Sequence, residues 1–212
     1  MENNIQNTRK MTWAYTLAAV LIIFDQATKL YFKGFSFFGI EHHGIDYGAQ
    51  IPVIGTFLQW TYIENAGMAF GIEFGWGKIF LSLFSIIAGV VLAIVINKLK
   101  NHSFWIQLGF TLIFAGAIGN LIDRVFYGLI FGDAPLFYGR VVDFIQVDIP
   151  DIGFLGWEYF PIFNIADSCV TVGVCFLILF HSKLPEYREL FPKKTIQEEQ
   201  KNINEQENLE NV

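Results

Sequence analysis

Three aspartates lie at or near the ends of long apolar stretches, where a charged side chain is least expected. Asp123 belongs to GAIGNLIDR, Asp143 to VVDF and Asp167 to FNIADS. An ionised carboxylate is costly in apolar surroundings unless it is paired, solvated or used in a reaction. All three are therefore candidates for a functional site.

Two of these aspartates have neighbours that should favour opposite charge states. Asp143 follows two valines and precedes Phe144, so burial should favour its protonated form. Asp167 follows Pro161 closely, and the N-terminus of a helix there would favour the ionised form. Two carboxyl groups in opposite states can act as acid and base on one water molecule. We therefore predict that Asp143 and Asp167 form a catalytic pair.

Other polar residues are expected near the same depth in the membrane. Asp25 and Lys29 are spaced i, i+4, and an ion pair within one helix is as compatible with this spacing as a catalytic role. Asn120 and Asp123 share a helix face at i, i+3. For Asp123, an ion pair with the adjacent Arg124 is favoured over a catalytic role.

Other chemistries fit the sequence less well. A zinc site would need His, Cys and carboxylate ligands at helix or hairpin spacing, but no H-E-x-x-H is present, and His42 and His43 belong to a loop. Ser168 has no paired base beside it in sequence, so it is expected to hydrogen-bond its neighbours. No metal and no cofactor are expected.

The elements that position these residues are predicted to be membrane helices. Hydrophobic residues make up 53% of the chain and charged residues 16%, with 23 Phe and a mean hydropathy of +0.43. Such a composition is not that of a soluble domain. Four stretches are each about the ~20 residues needed to cross a bilayer, namely 12–32, 76–96, 104–122 and 162–181. The predicted fold is a mainly α membrane protein with four transmembrane helices and a small outward-facing β-rich loop region.

The distribution of Lys and Arg predicts the orientation of these helices. Positive charges are concentrated at the two termini and in the connection 97–103, which places both termini in the cytoplasm. The connections 33–75 and 125–161 then face outward, and the aspartates lie near the outer leaflet. Residues 1–182 are predicted to form the membrane domain, and residues 183–212 a charged, disordered cytoplasmic tail.

One outward loop has a strand-like sequence. Residues 56–63 are rich in aromatic and β-branched side chains, and they are bounded by Gly55 and by Asn65-Ala66-Gly67. We predict a short strand followed by a turn. The strand could anchor the protein among lipid headgroups or bind an extended peptide along its edge, and the sequence favours neither.

Five motifs together resemble the signal peptidase II family, the lipoprotein signal peptidases. They occur in the family's order and are DQATK, ENAGMAFG, GAIGNLIDR, VVDF and FNIADS. The resemblance implies a four-helix aspartyl endopeptidase that cleaves diacylglyceryl-modified prolipoproteins just before the lipid-bearing cysteine. It also implies that Asp143 and Asp167 are the catalytic dyad. The supporting residues that it implies are Asp25, Lys29, Asn65, Gly67, Asn120, Asp123, Arg124, Asn164 and Ser168.

The same resemblance implies a multi-pass protein of the bacterial cytoplasmic membrane that acts as a monomer on lipidated signal peptides. Nothing in the sequence indicates a nucleic-acid partner. Residues 125–140 form a longer stretch than the family usually shows here, which could reshape the substrate entrance. Two other classes remain open from the residues alone: a small proton-coupled transporter, and a non-catalytic factor that binds lipidated peptides.

Overall fold

The computed structural model of the protein describes residues 2–37, 39–67, 75–148 and 160–191. The second half of ENAGMAFG, residues 68–71, lies outside these ranges. So does most of the predicted tail, from residue 192 to residue 212, and its predicted disorder stays a prediction.

Helices occupy all four of the predicted apolar stretches. The four long helices are α1 (Glu2–Lys33), α2 (Gly75–Lys98), α3 (Phe104–Ile122) and α5 (Ile165–Leu179). After α3 the chain continues through a π-helical segment, Asp123–Tyr127, into the short helix α4, Gly128–Phe131. A short helix α6, Tyr187–Leu190, follows α5. The long 125–140 stretch is thus partly an extension of the third helix.

Two helical runs within the described residues are long and apolar enough to cross a membrane. They are Gly77–Asn101 and Phe104–Phe131, whereas Ile165–Leu179 is apolar but shorter. The first helix, α1, carries Asp25 and Lys29 in its second half. Length and composition therefore identify two spans among the four predicted ones.

Small antiparallel sheets fill the connections. Strands β1 (Phe35–Phe37) and β2 (Ile40–His42) form a two-stranded sheet. Strands β3 (Ile51–Ile54), β4 (Leu58–Asn65) and β5 (Val141–Val147) form a three-stranded sheet with β4 in the centre. Strand β4 confirms the strand predicted at residues 56–63.

Helices α3 and α5 approach each other closely because glycines face the contact. A methyl group added at Gly116 would lie 2.2 Å from the carbonyl oxygen of Ala166, and one added at Gly173 would lie 2.7 Å from that of Gly109. Small residues let helix backbones pack together where lipid offers no hydrophobic driving force. The GAIGN segment of α3 contributes to this close contact through Gly116.

A compact aromatic cluster joins the sheet to the ends of α1 and α3. Phe32, Tyr62, Tyr127, Val142 and Phe144 are buried together, and the rings of Phe32 and Phe144 stack with centroids 4.2 Å apart. Aromatic burial of this kind contributes strongly to stability. The cluster fixes β5, and with it Asp143, against the first helix.

Candidate active site

Asp143 is held on the middle of β5 in a buried environment. Its Oδ1 accepts a hydrogen bond of 2.7 Å from Asn164 Nδ2, and the Asn65 side chain also hydrogen-bonds its carboxylate. Burial raises the pKa of Asp143 to about 7, and the negative charge of Asp167 acts in the same direction. The protonated form expected from the sequence is therefore populated near neutral pH.

Asp167 lies in the first turn of α5 and takes part in capping that helix. Its backbone N–H donates to the side-chain oxygen of Asn164, and its own Oδ2 accepts the backbone N–H of Asn164 at 3.2 Å. This reciprocal arrangement is a capping box, which fixes both side chains relative to the helix. The other carboxylate oxygen, Oδ1, accepts a hydrogen bond of 2.7 Å from Asn120 Nδ2.

Two asparagines connect the two catalytic candidates. Asn164 Nδ2 donates to Asp143 and lies 3.1 Å from Asn120 Oδ1, while Asn120 in turn donates to Asp167. Strand β5 is brought to this point by pairing with the residue before Asn164, because Ile145 N–H donates to the carbonyl of Phe163 at 2.8 Å. Asp143, Asn164, Asn120 and Asp167 thus form one polar cluster.

The fully buried ammonium group of Lys29 contacts this cluster through Asn120. Lys29, with 0% exposure, lies 2.9 Å from Asp25 Oδ2 and 2.8 Å from Asp123 Oδ2, and it donates to Asn120 Oδ1 at 2.9 Å. Two carboxylates and an amide oxygen satisfy its three N–H donors. Because the Asn120 oxygen accepts from Lys29, its amide nitrogen is left to face Asp167.

The two carboxylates beside Lys29 each hold the backbone next to one catalytic candidate. Asp25 Oδ1 accepts the N–H of Ala166 at 2.8 Å, one residue before Asp167. Asp123 Oδ2 accepts the N–H of Val142 at 3.2 Å, one residue before Asp143. One ion triad therefore fixes the backbone at both halves of the pair.

The prediction that Asp123 forms an ion pair with Arg124 is wrong, whereas the predicted ion pair between Asp25 and Lys29 is confirmed. Asp123 pairs with Lys29 of α1, and Arg124 donates instead to the backbone carbonyl of Asn120 at 3.3 Å. Neighbours in sequence on a helix point in different directions, whereas a long lysine from another helix can reach inward. The charge of Arg124 acts on both Asp143 and Asp167.

The remaining predicted residues have local positioning contacts. The side-chain oxygen of Asn65 accepts the N–H of Gly67 at 2.8 Å, which orients the amide towards Asp143. Gly67 has a φ of 80°, a backbone conformation that residues with a side chain rarely adopt, so glycine is favoured there. Ser168 donates to the backbone carbonyl of Asn164 at 2.9 Å and hydrogen-bonds its neighbour as expected.

One contributor was missed from the sequence. Gln26 Nε2 donates to Asp123 Oδ1 at 2.9 Å and to the carbonyl of Gly119 at 3.0 Å. Gln26 is a polar residue next to Asp25 within an otherwise apolar stretch, and this position could have identified it from the sequence. Among the described residues, no group of three or more His, Cys, Asp or Glu side chains is placed to hold a metal ion.

The chain is similar to known proteins along most of its length. Residues 17–183 match the family model for signal peptidase (SPase) II. A lipoprotein signal peptidase of Chlorobium phaeobacteroides is 35% identical over 189 residues, which cover 88% of this chain and 96% of the relative. That of Chlorobaculum tepidum is 39% identical, covering 82% of this chain and 96% of the relative.

Two solved structures are also similar to the chain along most of its length. A protein described as a bacterial membrane enzyme, solved at 1.9 Å by the in meso method, aligns with a TM-score of 0.63 and 34% identity. The alignment covers 82% of this chain and 95% of that one. A second bacterial membrane enzyme, solved at 2.3 Å, aligns with a TM-score of 0.61 and 32% identity, covering 87% of this chain and 93% of that one.

Proposed function

Because the chain belongs to the signal peptidase II family of aspartyl proteases, we propose that it removes signal peptides from diacylglyceryl-modified prolipoproteins. Cleavage occurs just before the lipidated cysteine. The relatives' name, lipoprotein signal peptidase, supports this substrate class. The observation that carries the proposal is the polar cluster joining Asp143 to Asp167 through two asparagine side chains.

In the proposed mechanism Asp143 is the acid and Asp167 is the base. Asp167 takes a proton from a water molecule, whose oxygen attacks the scissile carbonyl carbon. Asp143 donates its proton to the carbonyl oxygen, which gives a tetrahedral intermediate with two hydroxyl groups. As the C–N bond breaks, Asp167 passes the proton it took from water to the leaving amine, and one hydroxyl returns a proton to Asp143 while the C=O bond forms again. The raised pKa of Asp143 and the contacts that stabilise negative charge on Asp167 favour this division of roles.

The surrounding donors are proposed to bind the substrate and the developing negative charge. Arg124 is close enough for its charge to act on both aspartates, and it donates a hydrogen bond to the Asn120 carbonyl. A guanidinium group in this position can stabilise an oxyanion. Asn164 is already engaged with Asp143, so its proposed role is to position that side chain.

The proposed setting is the bacterial cytoplasmic membrane, with a monomer that crosses it four times. Both termini are on the cytoplasmic side, and the dyad is near the outer leaflet, where a translocated and lipidated precursor is available. The excess of Lys and Arg at the termini and in the connection 97–103 supports this orientation.

Isosteric substitution of each aspartate tests the dyad. We expect Asp143→Asn and Asp167→Asn each to reduce cleavage of a purified diacylglyceryl-modified precursor in detergent by at least about 10³-fold, since each removes one partner of acid–base catalysis. The amide preserves the shape of each side chain, so both variants should still fold. The measurement is the rate of precursor cleavage, followed by gel shift or mass spectrometry.

Asp46→Asn, an exposed aspartate of the same outward region, is the matched control and should cleave at the wild-type rate. Thermal unfolding of all three variants separates loss of chemistry from loss of fold. Turnover near the wild-type rate by either dyad variant would remove that residue from the mechanism.

A further inference from the structure

A cavity lies on the face of the sheet opposite Asp143 and Asp167. It has a volume of about 640 Å³ and is bounded by the end of α1, strand β4, the start of α2 and the 125–140 stretch. Tyr62 and Glu64 line it, and along β4 they alternate with Ile63, which is paired with Asp143. Successive side chains of a strand point to opposite faces. None of the residues proposed for catalysis lines this cavity.

Both carboxylates that line the cavity form ion pairs with Lys33. Lys33 forms ion pairs with Glu64 and, at 3.3 Å, with Asp133. Burial opposes the ionisation of Glu64, but hydrogen bonds from Lys33 and Tyr62 and the charges of Lys33 and Arg140 lower its pKa overall. Glu64 is therefore ionised at neutral pH and engages Lys33.

The other charged residues that line the cavity are Lys78 and Arg140. No described carboxylate forms an ion pair with Lys78. Arg140 is 3.8 Å from Glu64 Oε2, and half of its side chain, 52%, is exposed. Among the described residues that line the cavity, three cations against two carboxylates give a net positive charge.

A buried hydroxyl in the cavity wall lacks a partner. Tyr127 is only 4% exposed, yet its hydroxyl is the one buried side-chain polar atom in the described ranges without a hydrogen-bond partner. Leaving such a group unpaired is costly, and each native case calls for an explanation. Tyr127 is among the residues that line the cavity, which makes a ligand oxygen there a candidate partner for its hydroxyl.

We propose that this cavity binds a phosphate ester, with Lys78 and Arg140 pairing with the anionic oxygens and Tyr127 donating to the ligand. Ammonium and guanidinium groups are the usual partners of phosphate oxygens. The volume is larger than a phosphate group needs and falls in the range of sites for small organic ligands.

The position of the cavity suggests where the phosphate ester comes from. Lys33 is the last residue of α1, Lys78 lies in the first turn of α2, and Asp133 follows α4, so three helix ends meet there. In a membrane enzyme, helix ends lie at the level of lipid headgroups. A phospholipid headgroup and a soluble phosphate ester share the required chemistry, and the experiment has to distinguish them.

Three probes distinguish a phospholipid headgroup from a soluble phosphate ester. Dioleoylphosphatidylglycerol presents the phosphate on a lipid, sn-glycerol 3-phosphate presents it in solution, and dioleoylglycerol is a lipid without phosphate. Each is titrated into the purified full-length protein in detergent, and the shift in the unfolding temperature gives an apparent affinity. We expect stabilisation by at least one phosphate probe and little by dioleoylglycerol. Equal stabilisation by all three probes, or by none, would overturn the proposal.

Two substitutions test the named groups. Lys78→Gln should reduce the affinity for the phosphate probe about tenfold, because a charge-assisted contact is lost. The probe used is the one that stabilises the wild-type protein. The matched control is Lys100→Gln at an exposed site on the cytoplasmic side, which should bind as wild type does. If Lys78→Gln binds the probe with unchanged affinity, the site is not the one proposed.

Tyr127→Phe separates a ligand contact from a merely structural role. Without a probe, removal of an unpaired buried hydroxyl should leave the unfolding temperature unchanged or raise it. With the phosphate probe, the stabilisation should be smaller than in wild type. An unchanged response to the probe would exclude the Tyr127 hydroxyl from the site.

Discussion

Lys29 is the residue on which the geometry of both catalytic candidates depends. It compensates Asp25 and Asp123, and these carboxylates hold the backbone beside Asp167 and Asp143. A buried ion group of this kind contributes little net stability when complete, but the loss of one member leaves uncompensated charge. Lys29 is thus a positioning residue whose removal should affect folding and catalysis together.

We expect Lys29→Met to lower the free energy of unfolding by about 3–5 kcal/mol, the usual cost of breaking a buried ion pair. Cleavage of the precursor should also fall, because Asn120 loses the donor that orients it. Denaturant or thermal unfolding and the cleavage assay give the two readouts. Lys100→Met, at an exposed position, is the control and should change neither. Wild-type stability in Lys29→Met would show that the triad is not needed.

Asp143 should give the enzyme a decline in activity at high pH. Its pKa is raised to about 7 by burial and by Asp167, so its protonated fraction decreases as the pH rises through 7. If the protonated form is the acid, kcat/KM should fall about tenfold per pH unit on the alkaline side. A pH profile of precursor cleavage between pH 5 and 9 measures this.

Removing the hydrogen bond from Asn65 to Asp143 should change the pH at which kcat/KM falls. It favours the ionised form of Asp143, so its removal in Asn65→Ala should raise the pKa further and shift the decline to higher pH. Asn101→Ala, exposed and outside the site, should leave the profile in place. A shift to lower pH in Asn65→Ala would contradict the assignment of Asp143 as the acid.

Sequence spacing predicted residue contacts within one helix better than contacts between helices. The pair Asp25 and Lys29 follows from an i, i+4 spacing, which is a property of the helix alone. The pair Lys29 and Asp123 joins two helices, and its register depends on how α1 packs against α3. For the same reason the capping box of Asn164 could be predicted from the sequence, because its residues are three apart in one helix. The hydrogen bond from Asn120 to Asp167 joins two helices and could not be predicted in this way.

At the scale of elements, the contact between α3 and α5 sets the separation of the two halves of the site. Asn120 is one turn beyond Gly116 on α3, and Asp167 follows Ala166 on α5. The backbone approach at Gly116 therefore brings the Asn120 amide within reach of the carboxylate. Any side chain at this glycine should push the helices apart.

We expect Gly116→Ala to destabilise the protein by about 1–3 kcal/mol, the usual cost of overpacking. Its Cβ would meet backbone at 2.2 Å, which cannot rotate away. Cleavage should decrease because the hydrogen bond from Asn120 to Asp167 lengthens. Gly89→Ala is the matched control, since its Cβ would lie 3.0 Å from the flexible end of Ile118. Equal effects of the two substitutions would contradict the special role of the Gly116 contact.

The helices and β4 were predictable because their signals are local, whereas β5 was not. A run of apolar residues such as those around Val142 is compatible with several conformations. Its strand conformation comes from pairing with β4 and with Phe163, which are distant in sequence. The position of Asp143 opposite Ile63 is a consequence of that pairing and could not be derived from spacing alone.

For the whole molecule, the family assignment decides between the functional classes that the sequence left open. The chain belongs to a family of aspartyl proteases, so the transporter and the non-catalytic binding factor are not supported. The same structure has two distinct polar regions on opposite faces of one sheet. One contains the proposed catalytic pair, Asp143 and Asp167, and the other is the cavity lined by Lys33, Lys78 and Tyr127.

The number of membrane crossings is the main prediction at this scale. Helix α5 has 15 residues, which span roughly 22 Å as an α-helix and fall short of a ~30 Å hydrocarbon core. The flanking residues from Phe160 to Asn164 and the 3₁₀ turn His181–Lys183 add to this length. A local thinning of the bilayer would also accommodate a short helix at modest cost. We therefore expect α5 to cross, giving four spans and two cytoplasmic termini.

Reporter fusions test this expectation directly. Alkaline phosphatase, which is active only outside the cytoplasm, should be active when fused after Gly48 and inactive when fused after Lys100 or after Val212. A fluorescent reporter that folds only in the cytoplasm should give the opposite pattern. The fusion after Val212 is decisive because it reports on α5: alkaline phosphatase activity there, with the other two fusions as expected, would mean three crossings. The orientation inferred from the charges at the C-terminus would then be wrong, while the placement of Asp143 on β5 and of Asp167 in the first turn of α5 would still stand.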